Sequence, residues 1–268
     1  MTGQKLDNVD LDEIDSQEES LALRNERICK GELELCPSEF LSDNPVRPLL
    51  YTDPHGNEYE YYLQPMVKSV VFILLLELCE RFTYYCLQPE YPRYLTSPTF
   101  GKLAVSESSA TIQVMSSLMY VWPIIMAALA DSLTGQFWTA VFCGALYLGA
   151  LVFFTTQGVP SMFFSQSIPI YFFAWFPMAC GGIKALIGTI GANQFHPVIQ
   201  AAAVSSFYLK FYILVNIGSL TSTIVNIYAN YIGVQMWKAF IIPACTFLLG
   251  MIIFIAFRGR YVMTKPRR

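Results

Sequence analysis

The sequence predicts an all-α membrane protein, six transmembrane helices behind an acidic N-terminal tail. Three observations lead there. The 268 residues are 54% hydrophobic and 15% aromatic but only 14% charged, against about 25% charged in a soluble domain. Residues 1–65 hold 15 of the 20 acidic and 5 of the 17 basic residues, which leaves 17 charges for the 203 residues that follow. Six apolar stretches lie in that second region, each close to the roughly 20 residues needed to cross the hydrocarbon core. This composition excludes a soluble enzyme and a disordered protein. Scattered basic residues and a net charge of −3 exclude a nucleic-acid partner.

The first 20 residues, MTGQKLDNVDLDEIDSQEES, are acidic throughout. They lack the basic start and apolar run of a signal peptide. Together with the Pro-, Asp-, Asn- and Tyr-rich stretch from Pro37 to Pro65 they predict a largely disordered cytosolic tail over 1–65, either solvated chain or a docking segment. The spans are expected near 66–88, 109–130, 137–157, 163–190, 203–227 and 236–257. Breakers follow the first five: Pro89 and Pro92; Ser132 and Gly135; Gly158 and Pro160; Gly191, Asn193 and Pro197; Asn230 and Gly233. Backbone polar groups in lipid must be satisfied within the segment, so helices are the expected form. The bundle covers 66–258, and a basic C-terminus follows over 259–268. Arg258, Arg260, Lys265, Arg267 and Arg268 mark the cytosolic side. Six spans put the N-terminus there too, with Lys68 where the chain first meets the membrane. Arg93 and Lys102, in the outer loop 89–108, run against this rule. The bilayer is either the plasma membrane or an acidic internal membrane.

The seven cysteines have no CxxC spacing, and five lie in apolar stretches as small hydrophobes. His55 and His196 are expected in loops without a partner nearby in sequence. No metal site and no catalytic pair is expected.

The first span contains ELCERFTYYC, which sets Glu77, Glu80 and Arg81 in mid-membrane. Each such charge costs at least about 2.5–3.5 kcal/mol. Glu77 and Arg81 are i,i+4 with the acid N-terminal, the better orientation for a helical ion pair. Glu80 lies beside them and Tyr84 is one turn along. Two acids against one guanidinium leave a negative charge uncompensated or one acid protonated. Low dielectric favours the neutral acid and a neighbouring cation the ionised one, so such a group can switch. Lys184, in CGGIKALIG of the fourth span, is expected to neutralise the spare acid, with Gly181 and Gly182 allowing close helix approach. A static ionic lock is the other reading. Desolvation offsets the attraction in a buried ionic network, so a proton or substrate role is preferred. Tyr85, Tyr120 and Asn216 can face the same cavity, although each taken alone reads first as a packing contact.

ExxERFxYY over Glu77–Tyr85 resembles the signature of the proton-coupled oligopeptide transporter family, the peptide/nitrate branch of the major facilitator superfamily. LMYVWPIIMAALAD, GGIKALIGTIGANQF, FYILVNIGSLTSTIV and PACTFLLGMIIFIAFRGRYV resemble its second, fourth, fifth and sixth spans in order. The resemblance covers about residues 60–265. It implies symport of di- or tripeptides or related small solutes, with protons as the coupling ion and no other cofactor. It gives Glu77, Glu80, Arg81 and Lys184 the proton coupling. Arg81 and Lys184 would hold a substrate carboxylate, Tyr84, Tyr85 and Tyr120 would line the cavity, and Asn216 would help hold the peptide amino end. Major facilitators have two six-helix halves around a central cavity. This chain corresponds to the N-terminal half, and transport needs a second half in trans or in a longer chain. A membrane interaction or regulatory protein that kept the fold without transport is the alternative. The chain departs from the family at Gln136, where Arg is usual, and at Asn193, where Asp is usual.

Overall fold

A computed structural model describes residues 11–266. The first ten residues of the acidic tail, and Arg267 and Arg268 of the basic terminus, lie outside the described residues. The chain divides into two compact units, residues up to 65 with 195–206, and residues 66–194 with 207 onward.

The first unit differs from the expected disordered tail. Helix α1 spans Leu11–Lys30. Its Leu, Glu and Arg residues favour helix, and Lys30 pairs with Glu26 one turn back at 2.6 Å. Strands β1 (Leu49–Thr52) and β2 (Glu58–Tyr61) form an antiparallel hairpin, with Leu49 opposite Tyr61 and Thr52 opposite Glu58. The turn is made by Asp53, whose Oδ1 accepts the backbone N–H groups of His55 and Asn57 at 2.8 Å each. The Pro-, Asp- and Asn-rich composition that reads as linker is here turn chemistry. Ile28 and Leu49 are fully buried, so the first unit, with residues 195–206, has a core of its own.

In the second unit a π-helical turn, Met66–Val70, leads into α2 (Val71–Leu87), followed by α3 (Glu90–Thr96). Helix α4 (Val105–Leu129) continues through a π-turn to Thr134, and α5 is Gln136–Gln157. The short α6 (Ser167–Pro169) runs through a π-helical stretch into α7 (Phe176–Ala192). Helix α8 is Ala201–Tyr231 and α9 is Met236–Ala256. Among the described residues, five helical stretches are long and apolar enough to cross a membrane: Val105–Thr134, Gln136–Gln157, Ser167–Ala192, Ala201–Tyr231 and Met236–Ala256. The expected first span, 66–88, is helical but stands apart from these five by composition, because Glu77, Glu80 and Arg81 fall in its middle. Pro89 and Pro92, expected to end it in a loop, instead introduce α3. Pro92 is the third residue of that helix, where a missing N–H has no intrahelical partner to lose.

Apolar packing decides which helices lie inside. Helix α2 buries Ile73, Leu76, Cys79, Phe82 and Cys86. Tyr91 of α3 sits among Phe154, Phe172 and Phe176, its hydroxyl 3.1 Å from that of Tyr171. Helices α4 and α8 instead leave large apolar side chains exposed, among them Ile124, Leu220 and Tyr228. Such faces need lipid or further helices against them.

Helix α8 meets α2 at Gly218. A Cβ there would lie 2.9 Å from Arg81 Cβ and 3.1 Å from the Phe82 nitrogen. Backbone on the far side cannot move aside as a flexible side chain would. Gly218→Ala is therefore expected to destabilise the fold by about 1–3 kcal/mol, read as a lowered unfolding midpoint in detergent. An unchanged midpoint would mean that the two helices are not held this closely.

Candidate functional site

The site grows from one helical turn. Glu77 and Arg81 share a face of α2 by their i,i+4 spacing, and Arg81 Nε lies 3.0 Å from Glu77 Oε1. The adjacent Glu80 pairs with the other end of the same guanidinium, through Nη2 and Oε2. All three are sealed from solvent: Glu77 is 2%, Glu80 0% and Arg81 3% exposed. One cation thus holds two carboxylates, as the sequence spacing suggests. Glu77 Oε2 has no hydrogen-bond partner among the described residues. The remaining Glu80 oxygen, Oε1, receives the thiol of Cys180, with Sγ at 3.7 Å.

Lys184 departs from expectation. It does not pair with the spare acid. Its side chain is exposed, and Nζ sits 5.5 Å from the centroid of the Tyr84 ring. The Arg81 guanidinium lies 5.5 Å from the same centroid. Both cations thus lie over the same aromatic ring, each contact contributing about 0.5–2 kcal/mol. The reason lies in α7 itself. Gly181 sets α7 so close to α4 that a Cβ would lie 3.0 Å from the Met119 carbonyl oxygen and 3.1 Å from Pro123. Cys180, four residues before Lys184, is the α7 side chain that reaches Glu80.

The other expected site residues are less gathered. Tyr85 is half-buried next to Tyr84, their rings edge to face at 5.2 Å. Tyr120 on α4 is 75% exposed. Asn216 on α8 is exposed and donates to the Tyr212 carbonyl of its own helix at 2.8 Å. Neither forms a hydrogen bond with the α2 carboxylates. Two residues that the sequence did not single out do belong here. Cys180 has one sequence signal, its i−4 spacing from Lys184. Tyr147 of α5 has none, yet it is fully buried and stands near Cys180 and Glu80.

A second polar cluster joins α3 to α8. Glu90 is buried. It faces Arg93 at 3.4 Å and the Asn230 amide at 3.4 Å, and Arg93 donates to Asn230 Oδ1 at 2.6 Å. Asn226 donates to the Cys86 carbonyl at 3.1 Å. These residues border an open cleft of about 710 Å³ lined by Tyr85, Gln88, Pro89, Thr223, Asn226, Ile227 and Asn230. Arg93, which ran against the positive-inside pattern, is accounted for by this cluster. Elsewhere the departures at Gln136 and Asn193 prove to be one: Asn193 Nδ2 donates to Gln136 Oε1 at 2.8 Å, and Gln136 reaches Asp131 at 3.3 Å. A neutral amide pair stands where the resembling family would place opposite charges. Among the described residues, no cluster of His, Cys, Asp or Glu is arranged to hold a metal ion.

Comparison with known proteins finds one family. Residues 137–268 match the PTR2 family, described as the POT family. "Peptide transporter family 1" of Drosophila melanogaster is 31% identical over 215 residues, covering 75% of this chain and 28% of that protein. Human "Solute carrier family 15 member 1" is 28% identical, covering 74% of this chain and 30% of that protein. The crystal structure of the POT family transporter PepTSo shares the fold with a TM-score of 0.64 at 20% identity, over 74% of this chain and 39% of that one. This chain thus spans about a third of the length of these relatives. An apolar helical bundle, the sealed Glu–Glu–Arg turn on α2 and these matches lead to one conclusion: the chain belongs to the POT family.

Proposed function

We propose that this chain supplies the N-terminal half of a proton-coupled symporter for di- or tripeptides or related small solutes. The observation that carries the reading is the buried turn on α2, in which one guanidinium holds two carboxylates inside an apolar helix. A purely structural device gains little from such a group, because desolvation offsets the attraction. A proton carrier needs a carboxyl whose counter-charge can be taken away. Arg81 and Lys184, both close to the Tyr84 ring, offer two cationic contacts for a substrate carboxylate, and Tyr84, Tyr85, Tyr120 and Asn216 would complete this half of the cavity. The α2 helix counts as the first of six spans, since its charges are shielded by protein. Both termini then lie in the cytosol. The exposed faces of α4 and α8, which bear Tyr120 and Asn216, would meet the second six-helix half, in trans or in a longer chain.

The test is uptake into proteoliposomes that hold this chain together with a C-terminal half from a relative. Labelled dipeptide should accumulate under an inward proton gradient and be lost on adding a protonophore. Membrane-inserted protein that accumulates nothing with both halves present would overturn the reading.

A further inference from the structure

His196, which the sequence leaves without a partner, is held at both ring nitrogens in the first unit. It is completely buried. Its Nδ1 accepts two backbone N–H groups, from Val198 at 3.2 Å and Ile199 at 3.0 Å. Its Nε2 lies 3.0 Å from the carbonyl oxygen of Leu50 in β1. A backbone N–H can only donate and a carbonyl can only accept, so the ring is fixed as the neutral tautomer with its hydrogen on Nε2. Phe40, Tyr51 and Tyr61 close around it edge-on, at centroid distances of 5.2, 5.7 and 5.4 Å. The same segment is fastened again by Gln200, whose Nε2 donates to the Tyr62 and Leu63 carbonyls at 2.9 and 3.0 Å and whose Oε1 accepts the His196 N–H at 3.0 Å. Residues 195–200 are thus stitched to the hairpin at both ends.

We propose that this unit is a proton-operated clamp on the connection between α7 and α8, closed while His196 is neutral and released when Nδ1 takes up a proton. A proton on Nδ1 would point an N–H at two N–H groups that now donate to it. Both bonds would be lost together, and an imidazolium would be left in an apolar cage. The titratable groups facing the ring are the phenols of Tyr51 and Tyr61, and Cys29 lies against Gln200. Tyr61 is held neutral by its burial, which pushes its pKa up. Among the described residues no carboxylate lies within ion-pair distance of His196. Burial accordingly moves its pKa below the ordinary 6.5. The sign follows from linkage. The released state binds more protons than the clamped one, so the clamp is intact above pH 6.5 and weakens as pH falls below it. Helix α8 starts at Ala201, directly after the clamped segment. The proposal does not depend on transport and is tested without it.

The experiment is hydrogen exchange of the whole chain in lipid nanodiscs between pH 7.5 and 5, corrected for intrinsic amide chemistry. Opening over 49–61 and 196–200 should increase below pH 6.5 by up to about tenfold per pH unit. His196→Asn keeps an acceptor near the Nδ1 position but cannot titrate, and its exchange should be independent of pH. Should that variant stand open at every pH, nitrogen-15 spectra of the wild type decide. The chain has two histidines, and exposed His55 gives the reference signal. His196 should appear as the neutral Nε2–H tautomer and titrate below 6.5 in step with the exchange. An imidazolium at neutral pH, a midpoint at or above 6.5, or a pH response that survives in His196→Asn would overturn the clamp.

Discussion

Arg81→Gln is expected to cost about 3–5 kcal/mol of stability, whereas Glu77→Gln should cost under about 1 kcal/mol or stabilise slightly. The asymmetry comes from counting charges in a sealed space. Arg81 holds Glu77 at 3.0 Å and also pairs with Glu80, and all three groups are at most 3% exposed. Removing the cation leaves two buried carboxylates side by side with no counter-ion in contact, the situation in which a broken buried pair is most destabilising. Removing Glu77 leaves a neutral Glu80–Arg81 pair and takes away the unpartnered Oε2. Glu77→Gln added to Arg81→Gln should therefore recover part of the loss. Equilibrium unfolding in mixed detergent micelles measures all three variants. An Arg81→Gln cost within 1 kcal/mol of zero would show that Arg81 is not the counter-ion for both acids.

The second large effect concerns coupling. With a second half present, Glu80→Gln is expected to abolish accumulation driven by a pH gradient while leaving counterflow exchange of substrate. Glutamine keeps the shape and much of the hydrogen bonding but carries no proton. The sequence alone would place the competition at Lys184, with substrate carboxylate displacing Glu80 from that lysine. The geometry moves it to Arg81, because Arg81 is the cation that Glu80 touches while Lys184 rests on Tyr84. A substrate carboxylate drawn to the Arg81–Tyr84–Lys184 cluster would take the guanidinium from Glu80. A carboxylate that loses its counter-charge in a low-dielectric site takes up a proton, so substrate and proton binding become linked. Linkage is reciprocal, and acid pH should tighten substrate binding in the wild type and not in Glu80→Gln. Lys184→Ala should weaken binding with pH-driven uptake still detectable, whereas Arg81→Ala should remove both. Full pH-driven accumulation by Glu80→Gln would leave the α2 turn as a structural ion network only.

Local pattern fixed a good deal of this protein. Continuous apolar length, which depends only on neighbours in sequence, gave stretches that overlap the five long apolar helical stretches among the described residues, although it did not separate α6 from α7. The i,i+4 spacing of Glu77 and Arg81 is a property of one helix, so their pairing was legible before any fold was known. The paired departures Gln136 and Asn193 were visible one at a time, but their 2.8 Å hydrogen bond joins residues 57 positions apart and no spacing rule connects them.

Tertiary structure decided what depends on contacts between distant segments. The acidic N-terminal region reads as disordered because its own residues bury too little to order it. The core of the first unit is completed by residues 195–206, and the bonds from His196 to Leu50 and from Gln200 to Tyr62 span 146 and 138 positions. Burial of Tyr147 and Cys180 beside Glu80, and the turn of Lys184 onto Tyr84, follow from how α2, α5 and α7 pack around small residues. Side-chain chemistry and helical period are written in the chain one turn at a time. Which charged group finds its partner is set by backbones that approach only after the helices have assembled.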